Sequence, residues 1–245
     1  MIFSSIFQTL FYKPLFNLLL LIGAYIPGHN LGLAIIIITV LIRIILYPLF
    51  LKSLKTQKAM NELQPKLQEL RKRYKQDPTK QSKELLALYQ KHHVNPFTNI
   101  VLMLIQFPIL IALFQVFRNG LDPATAPQFL YSFVSFPALK MTFLGLLDLS
   151  RPSFVLALLT ALAQFFQTKM SFGKASPQKS KARSSNLTQK AMLYFLPFIT
   201  FMFLTNLNAA IGLYWMTTTV FSIGQQYLMD HPLRFNNKNR FLLEK

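Results

Sequence analysis

Apolar and charged positions separate along this chain into blocks. Residues 30–51, 98–118, 153–170, 191–207 and 208–229 are predominantly apolar, and none of these stretches carries more than one charged residue. A helix needs about 20 such residues to cross a hydrocarbon core. In lipid its backbone must be satisfied internally, so a crossing segment of this kind must be helical. The pattern predicts an all-α integral membrane protein with five transmembrane helices.

The polar block between the first two spans, residues 52–97, has its own periodicity. Met60, Leu63, Leu67, Leu70 and Tyr74 recur at alternating spacings of three and four, the seam of a coiled coil. Asp77-Pro78 should end that helix, because proline cannot continue it and restricts the residue before it. Leu85, Leu88, Tyr89 and His92 then share one face of a second helix that ends before Asn95-Pro96. The expectation is a helical hairpin standing off the membrane. At the other extreme, residues 1–29 are apolar at first but lack a basic n-region and a small-residue cleavage site. Lys13-Pro14 should divide them into two pieces too short to cross, so an interfacial helix followed by an external segment is expected.

Composition agrees with this picture and charge orients it. The chain of 245 residues is 52% hydrophobic and 14% charged, with a net charge of +18; a soluble domain carries about 25% charged residues. The basic residues are not spread over a folded surface. Residues 52–91 hold 11 basic and 4 acidic side chains, residues 169–190 hold 6 and none, and the tail after Met229 holds 4 and 2. The connection at 119–152 balances to zero. With five spans, the hairpin, the basic loop at 171–190 and the basic tail at 230–245 all lie in the cytoplasm, and the N-terminus and the 119–152 loop lie outside. The loop around residues 173–185, rich in Ser and Lys, should be flexible. This distribution argues against specific DNA binding. Cysteine is absent, which excludes disulfides and thiolate metal sites.

Enzymatic motifs are missing. No His-Glu-x-x-His, Gly-x-Ser-x-Gly or phosphate-binding Gly-rich loop occurs, all four His lie in connections, and no Asp or Glu lies inside a span. No catalytic residue, metal or cofactor is expected. Arg43 stands out. It sits two residues past the midpoint of its span, about 3 Å from the bilayer centre, where a charge costs roughly 2.5–3.5 kcal/mol on insertion scales. Thr39, Arg43 and Tyr47 share one helical face. Thr160, Gln164, Gln167 and Ser171 form a second polar stripe, Tyr214, Thr218, Ser222 and Gln225 a third, and Gln106 with Asn99 a fourth. Four stripes and one unpaired cation predict a hydrophilic pocket within the membrane.

Several runs resemble the YidC insertase family, to which the mitochondrial oxidase-assembly and chloroplast albino-type insertases are related. They are Thr39-Val-Leu-Ile-Arg43-Ile-Ile-Leu-Tyr47-Pro48-Leu49, Gln64-Pro65-Lys66, Leu88-Tyr89-Gln90-Lys91 with Val94-Asn95-Pro96, Leu104-Ile-Gln106-Phe-Pro108-Ile, Phe166-Gln167-Thr-Lys169-Met170-Ser171, and Gly212-Leu-Tyr214-Trp215. They stand in the family's order over residues 31–229. The resemblance implies five spans around a positively charged groove, open to the cytoplasm and to lipid and closed outside. Its arginine receives hydrophilic parts of a substrate, and Trp215 joins the substrate groove. It also implies a bacterial plasma-membrane location and nascent membrane proteins as clients. The Sec translocon, targeting factors, the ribosome and anionic lipids are candidate partners. The alternative reading of the residues is a small channel or transporter using Arg43 as an anion site, but that leaves the hairpin unexplained and no inverted repeat relates the two halves.

Overall fold

The computed structural model describes residues 6–120, 126–172 and 183–231. The described residues are mostly helical. A π-helical turn (Gln8–Tyr12) leads into α1 (Lys13–Tyr25), followed by α2 (Leu31–Ile45), α3 (Tyr47–Arg73), α4 (Pro78–Lys91) and α5 (Thr98–Gln115). A second π-helical turn (Val116–Gly120), a 3-10 turn (Ala126–Phe129) and a two-stranded antiparallel ribbon, β1 (Thr142–Phe143) with β2 (Leu147–Asp148), lead to α6 (Phe154–Phe172), α7 (Arg183–Leu204) and α8 (Ala209–Asp230).

The first expected span is not one helix. The chain bends by 68° between α2 and α3, and the break follows from Tyr47-Pro48. Pro48 has no N–H to offer the carbonyl of the preceding turn and its ring would strike that turn. Leu46 therefore closes α2 by donating to Ile42 O and opens α3 by accepting from Phe50 N at 3.0 Å. Pro48 then occupies the first turn of α3, where a missing N–H costs nothing. No helix break falls at the expected boundary between residues 51 and 52: α3 runs 27 residues, from the bend into the hairpin. α6 has an 18-residue window apolar enough to cross a bilayer by itself; α2 and α3 pass the same test together as a bent pair, and residues Leu104–Arg118 and Ala191–Leu204 are shorter apolar helices.

Two further expectations are corrected. Lys13-Pro14 does not divide the N-terminal segment, because the wide π turn before it, with Lys13 N–H reaching back to Gln8 O, relaxes the backbone that the ring would otherwise clash with. One face of this continuous helix is buried, with Phe16, Leu19 and Leu20 in the core. Asn17, 1% exposed, holds it to the connection between α5 and α6. Its Nδ2 donates to Phe129 O and Lys13 O, and its Oδ1 accepts from Tyr131 N, each at 2.8 Å. α7 also begins at Arg183, inside the stretch expected as the 171–190 loop. The stretch at 173–182 and the tail from 232 lie outside the described residues.

In the hairpin, Leu63 and Leu67 are buried with Val94, and Met60, Leu85, Leu88 and Tyr89 pack on them. Asp77 caps α4 by accepting from Lys80 N at 2.9 Å. The main core lies at the opposite end of the molecule, where Leu31, Ile35 and Ile38 of α2 meet Leu113 and Val116, Leu149, Leu156, Leu204, and Ile211 and Leu213 of α8. The connection between α5 and α6 is laced to these helix ends. Leu31 N donates to Lys140 O at 3.1 Å, Ala209 N to Arg151 O at 2.8 Å and Ala210 N to Leu149 O at 3.2 Å. Gly32 permits this closure, since a Cβ there would lie 2.6 Å from the Phe143 side chain and 2.9 Å from its Cα. Gly32→Ala should therefore cost about 1–3 kcal/mol by overpacking, lowering the melting temperature by roughly 2–4 °C for each kcal/mol. Gly224→Ala, where a Cβ meets nothing within 4 Å, should not lower it. Thermal unfolding of the two purified variants checks this.

Candidate functional site

Arg43 lies in the last turn of α2, one helical turn beyond the buried Thr39. Its side chain is only 5% exposed. The guanidinium carbon stands 4.0 Å from the centroid of the Phe50 ring, a stacking contact that the bend makes possible by turning α3 back across the end of α2. Nη1 is buried without a hydrogen-bond partner. Among the described residues no carboxylate approaches it, and the salt bridges, Lys58–Asp230 and Arg151–Asp148, lie elsewhere.

Arg43 opens into a cavity of about 540 Å³ built by five helices. α3 contributes Phe50, Ser53 and Gln57, α5 Gln106, Phe107 and Leu110, α6 Gln164 and Gln167, and α8 Tyr214, Trp215, Thr218, Thr219 and Ser222. α6 and α8 pack closely on each other, whereas α5 leans chiefly on α3 and the N-terminal helix. A hydrogen bond from Gln106 Nε2 to the Tyr214 hydroxyl joins α5 to α8 at this cavity. Polar atoms of its lining are buried without a protein partner, among them Arg43 Nη1 and Gln164 Oε1. Buried polar groups are ordinarily satisfied by protein or by water, so the arrangement suits a hydrated, electropositive chamber that takes anionic or strongly polar groups. It holds no nucleophile–base pair, and among the described residues no group of three His, Asp or Glu could hold a metal.

A second cavity adjoins the first at Gln57, which lines both. It is bounded by Leu54, Lys58 and Asn61 of α3 and by the ends of α6 and α8. Here Asn61 Nδ2 donates to Ser171 O at 2.7 Å and Lys58 Nζ stands 3.3 Å from Asp230 Oδ1. The base of the hairpin arm is therefore fastened to α6 and α8 and forms a wall of the chamber.

The structure brings together Arg43, Gln106, Gln164, Gln167, Tyr214, Trp215, Thr218 and Ser222. It does not bring Tyr47. That residue follows the bend, so its four-residue spacing from Arg43 no longer means a shared face, and it is 42% exposed. Thr39 is buried and bonds Ile35 O at 2.5 Å instead of lining the chamber, and Thr160 likewise bonds Leu156 O at 2.7 Å. Ser171 faces the second cavity, and the side chain of Asn99 lies outside the described residues. Phe50, Ser53 and Gln57 went unrecognised because the sequence assigns them to the span end and the hairpin. The signal for them was Pro48, whose bend turns the start of α3 toward Arg43.

The model of the 60Kd inner membrane protein family matches residues 22–238. The chain is 33% identical over 205 residues to the membrane protein insertase YidC of Clostridium tetani, covering 82% of each chain. With the YidC of Oceanobacillus iheyensis it shares 33% over 235 residues, 94% of this chain and 86% of the relative. With that of Syntrophus aciditrophicus it shares 34% over 204 residues, 82% of this chain but only 33% of the longer relative. With matches of this extent, the chain belongs to the 60Kd inner membrane protein family, the YidC family of membrane protein insertases.

Proposed function

We propose that this protein is an insertase of the bacterial plasma membrane that passes hydrophobic client helices into the bilayer through the Arg43 chamber. The observation that carries this reading is a buried arginine with an unpartnered Nη1 facing a polar cavity in an otherwise apolar bundle, in a chain whose relatives are named membrane protein insertases. A polar segment entering hydrocarbon must shed its water, which costs several kcal/mol per unsatisfied group. A hydrated chamber shortens the dry path, and Arg43 attracts acidic side chains or a chain end. Among the described residues no carboxylate neutralises it, so the arginine holds the client only in passing. Apolar parts of the client leave sideways past α5, which is loosely joined to α6 and α8.

In this reading the five apolar stretches all cross the membrane, α2 with the bent start of α3 serving as the first. The N-terminus and the ribbon-bearing connection are outside, and the hairpin and tail are cytoplasmic. Clients are nascent membrane proteins. The basic outer faces of the hairpin recruit anionic lipid headgroups, each basic residue near the surface contributing about 1 kcal/mol, or a ribosome, targeting factor or Sec translocon.

Arg43→Glu should lower client insertion at least tenfold while the protein still folds, and Arg43→Lys should retain part of the activity without the guanidinium stack on Phe50. Protease protection of a single-span client in reconstituted vesicles measures both. Full insertion by the Glu variant contradicts the electrostatic account.

Topology is tested separately in the cysteine-free chain. A cysteine replacing Gln128 should react with an impermeant thiol reagent in intact cells, and one replacing Ser82 should not. Labelling at 82 from outside overturns the five-span arrangement.

The hairpin tip can be removed without its base. Lys66 Nζ and His92 Nε2 lie 3.4 Å apart, so a short linker can replace residues 67–91 while Ser53, Gln57 and Asn61 stay in place. Time courses at two salt concentrations should show slower insertion, still above that of Arg43→Glu. Its salt dependence should be weaker than in the intact protein, because exposed charges are screened within about 10 Å at 0.1 M. A folded variant as inactive as Arg43→Glu would make the tip part of the translocation step.

A further inference from the structure

A third cavity lies at the opposite end of α5 from the hairpin. It is lined by Gln8 and Tyr12 of the first π turn, Ile111, Phe114 and Gln115 of α5, Arg118 of the second π turn, and Gln128 and Phe129 of the 3-10 turn. Its polar groups are three amides, a phenol and a guanidinium; among the described residues no carboxylate lines it. Arg118 is exposed. Among the described residues it makes no ion pair, and its guanidinium carbon stands 5.9 Å from the centroid of the Phe114 ring. A guanidinium and amides around an open, aromatic-floored hollow are suited to a phosphate.

The face of α5 below the hollow says what the phosphate is attached to. Leu104, Phe107, Ile111, Gln115 and Arg118 follow one another at spacings of three, four, four and three, and all five are exposed. They form a stripe that is apolar over its first three positions and ends in a cation. A chain starting at Arg118 and running along the stripe reaches Phe107 after about 16 Å at 1.5 Å per residue, close to half of a hydrocarbon core of about 30 Å. Phe107 also lines the Arg43 chamber, so the tail would end beside the side opening of that chamber.

We propose that this hollow is a phospholipid site, with Arg118, Gln115 and Gln128 holding the phosphate and one acyl chain lying along Ile111, Phe107 and Leu104. The headgroup hollow shares no lining residue with the Arg43 chamber, which the acyl chain meets only at Phe107, and the proposal does not depend on the insertase reading.

The test uses the purified full chain in detergent micelles with phosphatidylglycerol carrying a photoactivatable diazirine in its acyl chain, followed by peptide mapping of the crosslinks. Crosslinks should concentrate on residues 104–115 and fall at least fivefold in Arg118→Gln. They should fall in Gln128→Ala, on a different element, be partly retained in Arg118→Lys, and be unchanged in Arg43→Gln. Unlabelled phosphatidylglycerol should compete, and millimolar inorganic phosphate should not. Equal labelling of the lipid-facing sides of α6 and α7 that is indifferent to Arg118→Gln overturns the proposal. Displacement by inorganic phosphate also overturns it, in favour of a free-anion site.

Discussion

The arrangement of this protein depends on keeping one charge, that of Arg43, in an apolar bundle. A charge at such depth costs at least 2.5–3.5 kcal/mol on insertion scales, and the surroundings recover that cost without cancelling the charge. Phe50 offers its ring face to the guanidinium, and Tyr214, Gln106, Gln164 and Thr218 surround the same space with dipoles. A buried carboxylate would have been the simpler solution electrostatically. An ion pair, however, would leave nothing for an incoming polar group to meet; in the proposed mechanism the orphaned Nη1 is what the client meets.

The same constraint gives the molecule its two unlike ends. On one side of Arg43 the chain builds a dry closure: Ile35 and Ile38 of α2, Leu113, Leu149, Ile211 and Leu213 are buried together, and the connection between α5 and α6 is hydrogen-bonded across the helix ends. On the other side the residues that follow the bend, Phe50, Ser53 and Gln57, extend the polar surface toward a second cavity fastened by Asn61–Ser171 and Lys58–Asp230. α3 is at once a wall of the chamber and the stalk of the hairpin. No loop separates the hairpin arm from the chamber wall.

Much of the site was legible in the sequence, because helical periodicity survives wherever a helix is continuous. Gln164 with Gln167, and Tyr214 with Thr218 and Ser222, were placed on common faces by their spacing alone, and they line one chamber. Trp215 was different: only its resemblance to a family motif singled it out, since an aromatic in an apolar span carries no signal by itself. Periodicity failed where the helix broke. Spacing alone puts Tyr47 on the face of Arg43, across a proline that ends the helix, and puts Ser53 and Gln57 in the hairpin, because the charges around them dominate the composition. Asn17 was missed for the opposite reason, as a single polar residue in an apolar run whose partners, Phe129 and Tyr131, are more than 100 residues away.

The central claim is that a client occupies the Arg43 chamber on its way into the bilayer, and photocrosslinking tests it most directly. A photoreactive amino acid placed singly at Gln57, Gln164 or Thr218 would be irradiated with a single-span membrane protein arrested part-way through synthesis, and again after its release. The account predicts crosslinks from all three chamber positions to the arrested client, lost once insertion is complete, and none from Phe198, which is exposed on α7 away from the chamber lining. Efficient insertion of the client with no crosslink from any chamber position would contradict it.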